Sequence, residues 1–150
     1  MRFARATLRR LLIAFITITL IGATVGLVAP SRRPARGEGP WEVPKRAERK
    51  KNPLPADRAS LAAGREVYVA ECLDCHGRRG KGDGVSSRDL KTPVPDLNDA
   101  AVWKQSDGAL FYKITTGRGD MPGFDELLNE EQRWHVLNYA RATFAKREGN

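Results

Sequence analysis

The 150 residues include only two cysteines, two methionines and two histidines, and aromatic side chains make up 7% of the chain. No stretch alternates apolar and polar residues with the period of a half-buried strand, so a sheet-based fold has no support. A zinc cage takes four donors, commonly from two cysteine pairs; with Cys72, Cys75 and His76 together, only His135 remains, a poor fourth ligand. A redox pair of the strand-helix-strand type would need a strand before its cysteines, and none is patterned there. A disulfide between cysteines three apart adds little loop-closure stabilisation. The length leaves no room for a large multidomain enzyme.

Positive charge is abundant but uneven. The net charge is +8, yet the excess lies almost entirely before residue 59, and residues 59–150 are close to neutral. A basic chain raises nucleic-acid binding as a role, but the part able to fold does not carry the charge, and no nucleic-acid partner is expected.

Residues 11–29, LLIAFITITLIGATVGLVA, are uncharged and mostly apolar, and follow Arg2, Arg5, Arg9 and Arg10 in the flank 1–10. As a helix this run is about 28 Å long, near the roughly 30 Å of a bilayer core. A transmembrane anchor is favoured over a signal peptide. The run exceeds a usual signal core, and its exit, Leu27-Val28-Ala29 before Pro30, is a poor cleavage site; cleavage would give a secreted form. Residues 30–58 hold six of the nine prolines and the basic run Lys45–Lys51. They read as an extended linker with a reach of roughly 80–90 Å at about 3.1 Å per residue. Its charges suit loose attraction to anionic headgroups of the bilayer.

Residues 59–147 have the pattern of an all-α domain. Leu61, Gly64, Tyr68, Cys72 and Cys75 recur at helical spacing, with Asp57 or Ser60 able to cap the start. Asp107 is a plausible cap for a helix over 108–116, and Glu130 and Glu131 suit the N-terminus of a last helix. On that last helix Val136, Leu137, Tyr139, Ala140 and Phe144 share the apolar side, and His135 and Asn138 fall on the other, exposed side.

The sharpest motif is Cys72-Leu73-Asp74-Cys75-His76, followed by Gly77, Gly80, Gly82 and Gly84. C-x-x-C-H is the attachment signature of c-type haem. Positions i, i+3 and i+4 of a helical turn share a side, so both thiols can add to the porphyrin vinyl groups while the imidazole reaches the iron. One covalent haem c would consume both cysteines. By elimination Met121, in a loop rich in glycine and proline, is a candidate sixth ligand; a packing methionine is the alternative, and His135 is the rival donor.

Together these residues resemble class I cytochrome c over about Ala59 to Phe144. The resemblance rests on Gly64-x-x-x-Tyr68, Cys72-x-x-Cys75-His76-Gly77, the Gly80–Gly84 loop, Pro95-Asp96-Leu97, Gly117-x-x-x-Met121-Pro122, and Trp134 through Arg141. It implies a cytochrome c-like helical domain around a covalent haem, its first and last helices crossing where Gly64 lets Tyr139 approach. It also implies His76 and Met121 as axial iron ligands, and a proline carbonyl, Pro95 being favoured over Pro93, that orients His76. Haem attachment in this family occurs outside the cytoplasmic membrane. The expected location is therefore the inner membrane, with the haem domain on the periplasmic side. The implied role is a one-electron carrier between respiratory redox partners, with no small-molecule substrate and no enzyme activity. Lys81, Lys104 and Arg118 are candidate orienting charges. The alternatives are a fixed haem subunit of a larger dehydrogenase or oxidase, and a haem enzyme or gas sensor with a weak sixth ligand.

Overall fold

A computed structural model of the chain describes residues 39–145. The apolar run 11–29, its flank 1–10, residues 30–38 and residues 146–150 lie outside them. Among the described residues no helix is long and apolar enough to cross a membrane. These residues form helices and turns without a named strand, their one β-type contact being an isolated bridge between Arg118 and Met121.

A single turn, α1 (Lys45–Glu48), precedes the first long helix, α2 (Arg58–Val67). Asp57 starts α2 by accepting a hydrogen bond from the Ser60 amide at 2.8 Å, which satisfies one of the donors that a helix N-terminus leaves open. Beyond Val67 the helix widens into one π turn, Tyr68–Cys72, where the Leu73 amide reaches back to the Tyr68 carbonyl, and then tightens as α3 (Leu73–His76). The extra residue turns the side chains beyond it out of phase with α2. The sequence pattern gives one continuous helical face and does not show this step.

Three further helices complete the domain: α4 (Ala100–Trp103), α5 (Asp107–Thr116) and α6 (Glu130–Phe144). The cap of α5 is Ser106, whose hydroxyl accepts from the Ala109 amide at 3.1 Å. Asp107, expected in that role, instead pairs with Arg141 at 2.7 Å. Asn129 and Gln132 form a reciprocal capping box at the start of α6. Helices α2 and α6 cross at Gly64, where any Cβ would overlap the His135 carbonyl and crowd Cβ of Tyr139.

Two groups of buried side chains make the core. Val67, Tyr68, Phe124, Leu128, Val136 and Phe144 form one, against which Cys72, Leu97, Met121 and Tyr139 pack. Leu110, Phe111, Trp134 and Leu137 form the other. Trp134 is completely buried and stacks on Phe111 with ring centroids 3.9 Å apart.

Two expectations are corrected here. His135 and Asn138 are not on an exposed side of α6: Asn138 is buried, and the His135 side chain is 18% exposed. Ser60 Oγ accepts from Asn138 Nδ2 at 2.9 Å and lies 2.9 Å from His135 Nδ1. Nδ1 of His135 thus faces the Ser60 hydroxyl, and Nε2 lies 3.6 Å from Glu131.

The second correction concerns the linker. Its described part, residues 39–57, is an arm laid on the domain. Asn52 donates to Asn138 at 2.7 Å, Leu54 packs on the Trp134 group, and Ser106 donates to the Glu48 carbonyl at 2.8 Å. Lys50 pairs with Glu130 at 2.7 Å and sits over the rings of Phe111 and Trp134. Composition alone suggests a stretch with nothing to bury. It overlooks a lysine whose ammonium sits over two aromatic rings and meets a carboxylate, and an asparagine that satisfies a buried partner.

Candidate haem site

Cys72 closes the π turn, and Cys75 and His76 end α3, so one short stretch of helix carries all three motif side chains. The helix stops because the glycine loop folds back beneath it. The amides of Gly77, Gly82 and Gly84 donate to the carbonyls of Leu73, His76 and Cys75 at 2.8, 2.9 and 3.2 Å, taking up acceptors that a helix C-terminus leaves open. Gly82 has φ of +70° and lies so close to the Val94 carbonyl that a Cβ would collide with it. From the other side Tyr68 donates its hydroxyl to the Gly77 carbonyl at 2.7 Å. Burial, followed by the nearby Cys72, raises the Tyr68 pKa, so this donor keeps its proton. Sequence reasoning found Tyr68 only as a helix-face residue and missed this bond.

Both cysteines are free thiols, half-buried. Burial pushes the Cys72 thiol up to about 12, with Glu71 and Cys75 adding smaller effects. Burial lowers the His76 pKa, which favours the neutral imidazole, the form with a lone pair for a metal. Nδ1 of His76 is buried without a hydrogen-bond partner. The bond expected from it to Pro95 is therefore not made here: Pro95 is exposed, and segment 93–95 meets the glycine loop through the Val94 carbonyl instead.

Met121 is half-buried and packs on the same core group as Cys72. It belongs to a tight turn in which the Arg118 amide donates to the Met121 carbonyl at 2.8 Å and the Met121 amide returns a bond to Arg118 at 3.1 Å. Asp120 in that turn accepts from the Thr92 amide at 3.0 Å. His135, the rival donor, is engaged with Ser60 and Glu131. Among the described residues no three side chains of His, Cys, Asp or Glu are grouped as a metal-ion cage. The donor set fits a haem rather than a bare ion: two free thiols beside a neutral, orphaned imidazole, with a thioether packed on the same core.

A helical domain closed around such a donor set is the architecture of a haem-binding cytochrome, and comparison with known proteins agrees. The family profile described as cytochrome c oxidase, cbb3-type, subunit III, matches residues 59–139, just over half of the chain. Cytochrome c6 of Rippkaea orientalis is 32% identical over 91 residues, 59% of this chain and 75% of that protein. Cytochrome c6 of Chlorolobion braunii is 35% identical over 88 residues, 54% of this chain and 88% of that protein. A chain of the Kuenenia stuttgartiensis reducing HAO-like protein complex superposes with a TM-score of 0.55 at 25% identity. The match covers 63% of this chain and 47% of that one, so this chain spans about half its length. The chain belongs to the class I c-type cytochromes, through the cbb3-type subunit III family, and its cofactor is covalently bound haem c.

Proposed function

We propose that this cytochrome is a membrane-tethered carrier of single electrons between redox protein partners. Cys72 and Cys75 are the thioether attachment points, His76 the proximal ligand and Met121 the distal ligand. Haem c supplies an iron that alternates between ferric and ferrous. The chain's own residues hold that centre. The motif helix fixes the thiols and imidazole on one stretch of backbone, and the Tyr68 and glycine-loop bonds keep that stretch from unwinding. The turn at 118–121 presents the thioether, and the buried groups around Val67 and Phe124 limit water. Ligation from both sides leaves no open position for a substrate, which suits electron transfer and raises the potential relative to stronger donors.

The observation that carries this reading is the His76 imidazole, its Nδ1 buried without a partner and its pKa lowered by burial, beside two free thiols. The apolar run 11–29 supports an anchor, and haem attachment outside the cytoplasmic membrane in this family supports a domain on the periplasmic side. The test is an optical spectrum of the ferric holoprotein. A sulfur-to-iron band is expected in the parent and absent in Met121→Ala; a band unchanged in the variant removes Met121 as ligand.

The family description and the likeness to a chain of a multiprotein complex support a second reading, a fixed haem subunit of a larger oxidase or dehydrogenase. Solubilisation in mild detergent separates the two. A carrier runs alone, whereas a subunit copurifies with its partners in fixed ratio.

A further inference from the structure

The start of the arm lies against the turn that bears Met121. The Arg118 guanidinium donates to the Gly39 carbonyl at 2.6 Å. The Trp41 ring takes two cations, Lys113 Nζ at 5.1 Å and Arg118 Cζ at 5.8 Å from its centroid. Arg118 is also the residue whose backbone exchanges both hydrogen bonds with Met121. One side chain therefore joins the segment that leads from the apolar run to the segment that carries the candidate distal ligand. Neither the carrier reading nor the resemblance assigns Gly39 or Trp41 a part, and the sequence reading left Arg118 as a charge for docking partners.

We propose that Gly39–Trp41 is a positioning strap for Met121, holding the 118–121 turn closed so that the thioether stays on the iron. The inference rests on Met121 being the distal ligand. Short loops open locally at a free-energy cost far below that of global unfolding, and each contact made only in the closed state lowers the open fraction. Trp is the strongest ring partner for a cation, and here it meets two, all three side chains being half-buried. The opposite edge of the turn is held by the Asp120 bond to Thr92.

The experiment uses the full-length ferric holoprotein and cyanide, which competes for the distal position. Trp41→Ala is expected to raise the apparent cyanide affinity about fivefold, the lower end of the scale for two cation–π contacts. Trp41→Phe, which keeps a ring face, should restore most of the parent value. Lys113→Gln, which removes one of the two cations, should give a smaller rise and serves if Trp41→Ala does not fold. Ser60→Ala, which loosens the α2–α6 seam instead, should leave cyanide affinity unchanged; an equal rise there would reveal general loosening and overturn the strap. Parent affinity in Trp41→Ala, with the sulfur-to-iron band still lost in Met121→Ala, overturns the strap and leaves the ligand assignment standing. A band that survives Met121→Ala overturns the assignment, and the strap with it.

Discussion

Tyr68 shows how much of the motif's geometry rests on single atoms. Its ring forms a triangle with those of Tyr139 and Phe144, with centroids 5.5 and 5.3 Å away, and its hydroxyl holds the Gly77 carbonyl next to His76. Tyr68→Phe keeps the ring and removes the bond, while the Gly80 amide still donates to that carbonyl. The expected loss is about 1–2 kcal/mol in denaturant unfolding of the holoprotein, with no change in haem content. At Gly64 the limit is steric. Gly64→Ala places a methyl group against the His135 carbonyl, and the helices must part or bend; a cost of about 2–3 kcal/mol is expected in the same unfolding measurement. Both residues were legible in the sequence, Gly64 as the point of close approach and Tyr68 as its neighbour one helical turn on. What could not be read was the hydroxyl's partner, because that depends on the loop after His76 folding back over the helix end.

Among the elements, the helices were the readable part and the arm was not. Apolar spacing located α2, α5 and α6, since periodic burial against one neighbour leaves a periodic sequence. It failed for the sides of α6 that face His135 and Asn138, because the partners there are polar: Ser60 from α2 and Asn52 from the arm. Polar residues that satisfy one another in a seam look like surface in a helical wheel. The arm itself is held by ionic and ring contacts, which makes its docking sensitive to pH. The Glu130 carboxylate is held below its ordinary value of 4.5, first by the Lys50 hydrogen bond and then by that from Trp134. A depressed acid stabilises the docked state above its unfolded value and loses that contribution as pH falls through the folded one. Hydrogen exchange should therefore show full protection of residues 45–55 at neutral pH and declining protection as the pH is lowered below 4.5. The decline should vanish in Glu130→Gln, whose protection is lower at neutral pH and flat below it. A surface pair contributes little to global stability, so the holoprotein's unfolding midpoint should move far less than the arm's protection.

On the scale of the whole molecule, the described domain is small, and a core of this size gains much from a large apolar insert. Cys72→Ala combined with Cys75→Ala should give a chain without covalent haem, colourless on a denaturing gel stained for haem. Its unfolding should lose cooperativity, seen as a broad, shallow thermal transition by circular dichroism. A sharp transition in that variant would show that the protein's own side chains suffice. Family and cofactor were readable at this scale because the haem motif is local in sequence. The shell around His76 was not: its Nδ1 is buried without a partner, and nearby the Val94 carbonyl packs on Gly82, a backbone contact with no residue signature.

The docked arm also changes the geometry of search. For a chain anchored through residues 11–29, only residues 30–38 separate the apolar run from Gly39, where the arm begins. Fully stretched, those residues cover about 30 Å, roughly a third of what the whole linker would allow. Accessible volume rises steeply with reach, so such a leash would let the domain sweep only a small part of the space open to a free linker. Under the proposed anchoring, a short leash would favour partners that lie close to the membrane surface over those a long linker could reach.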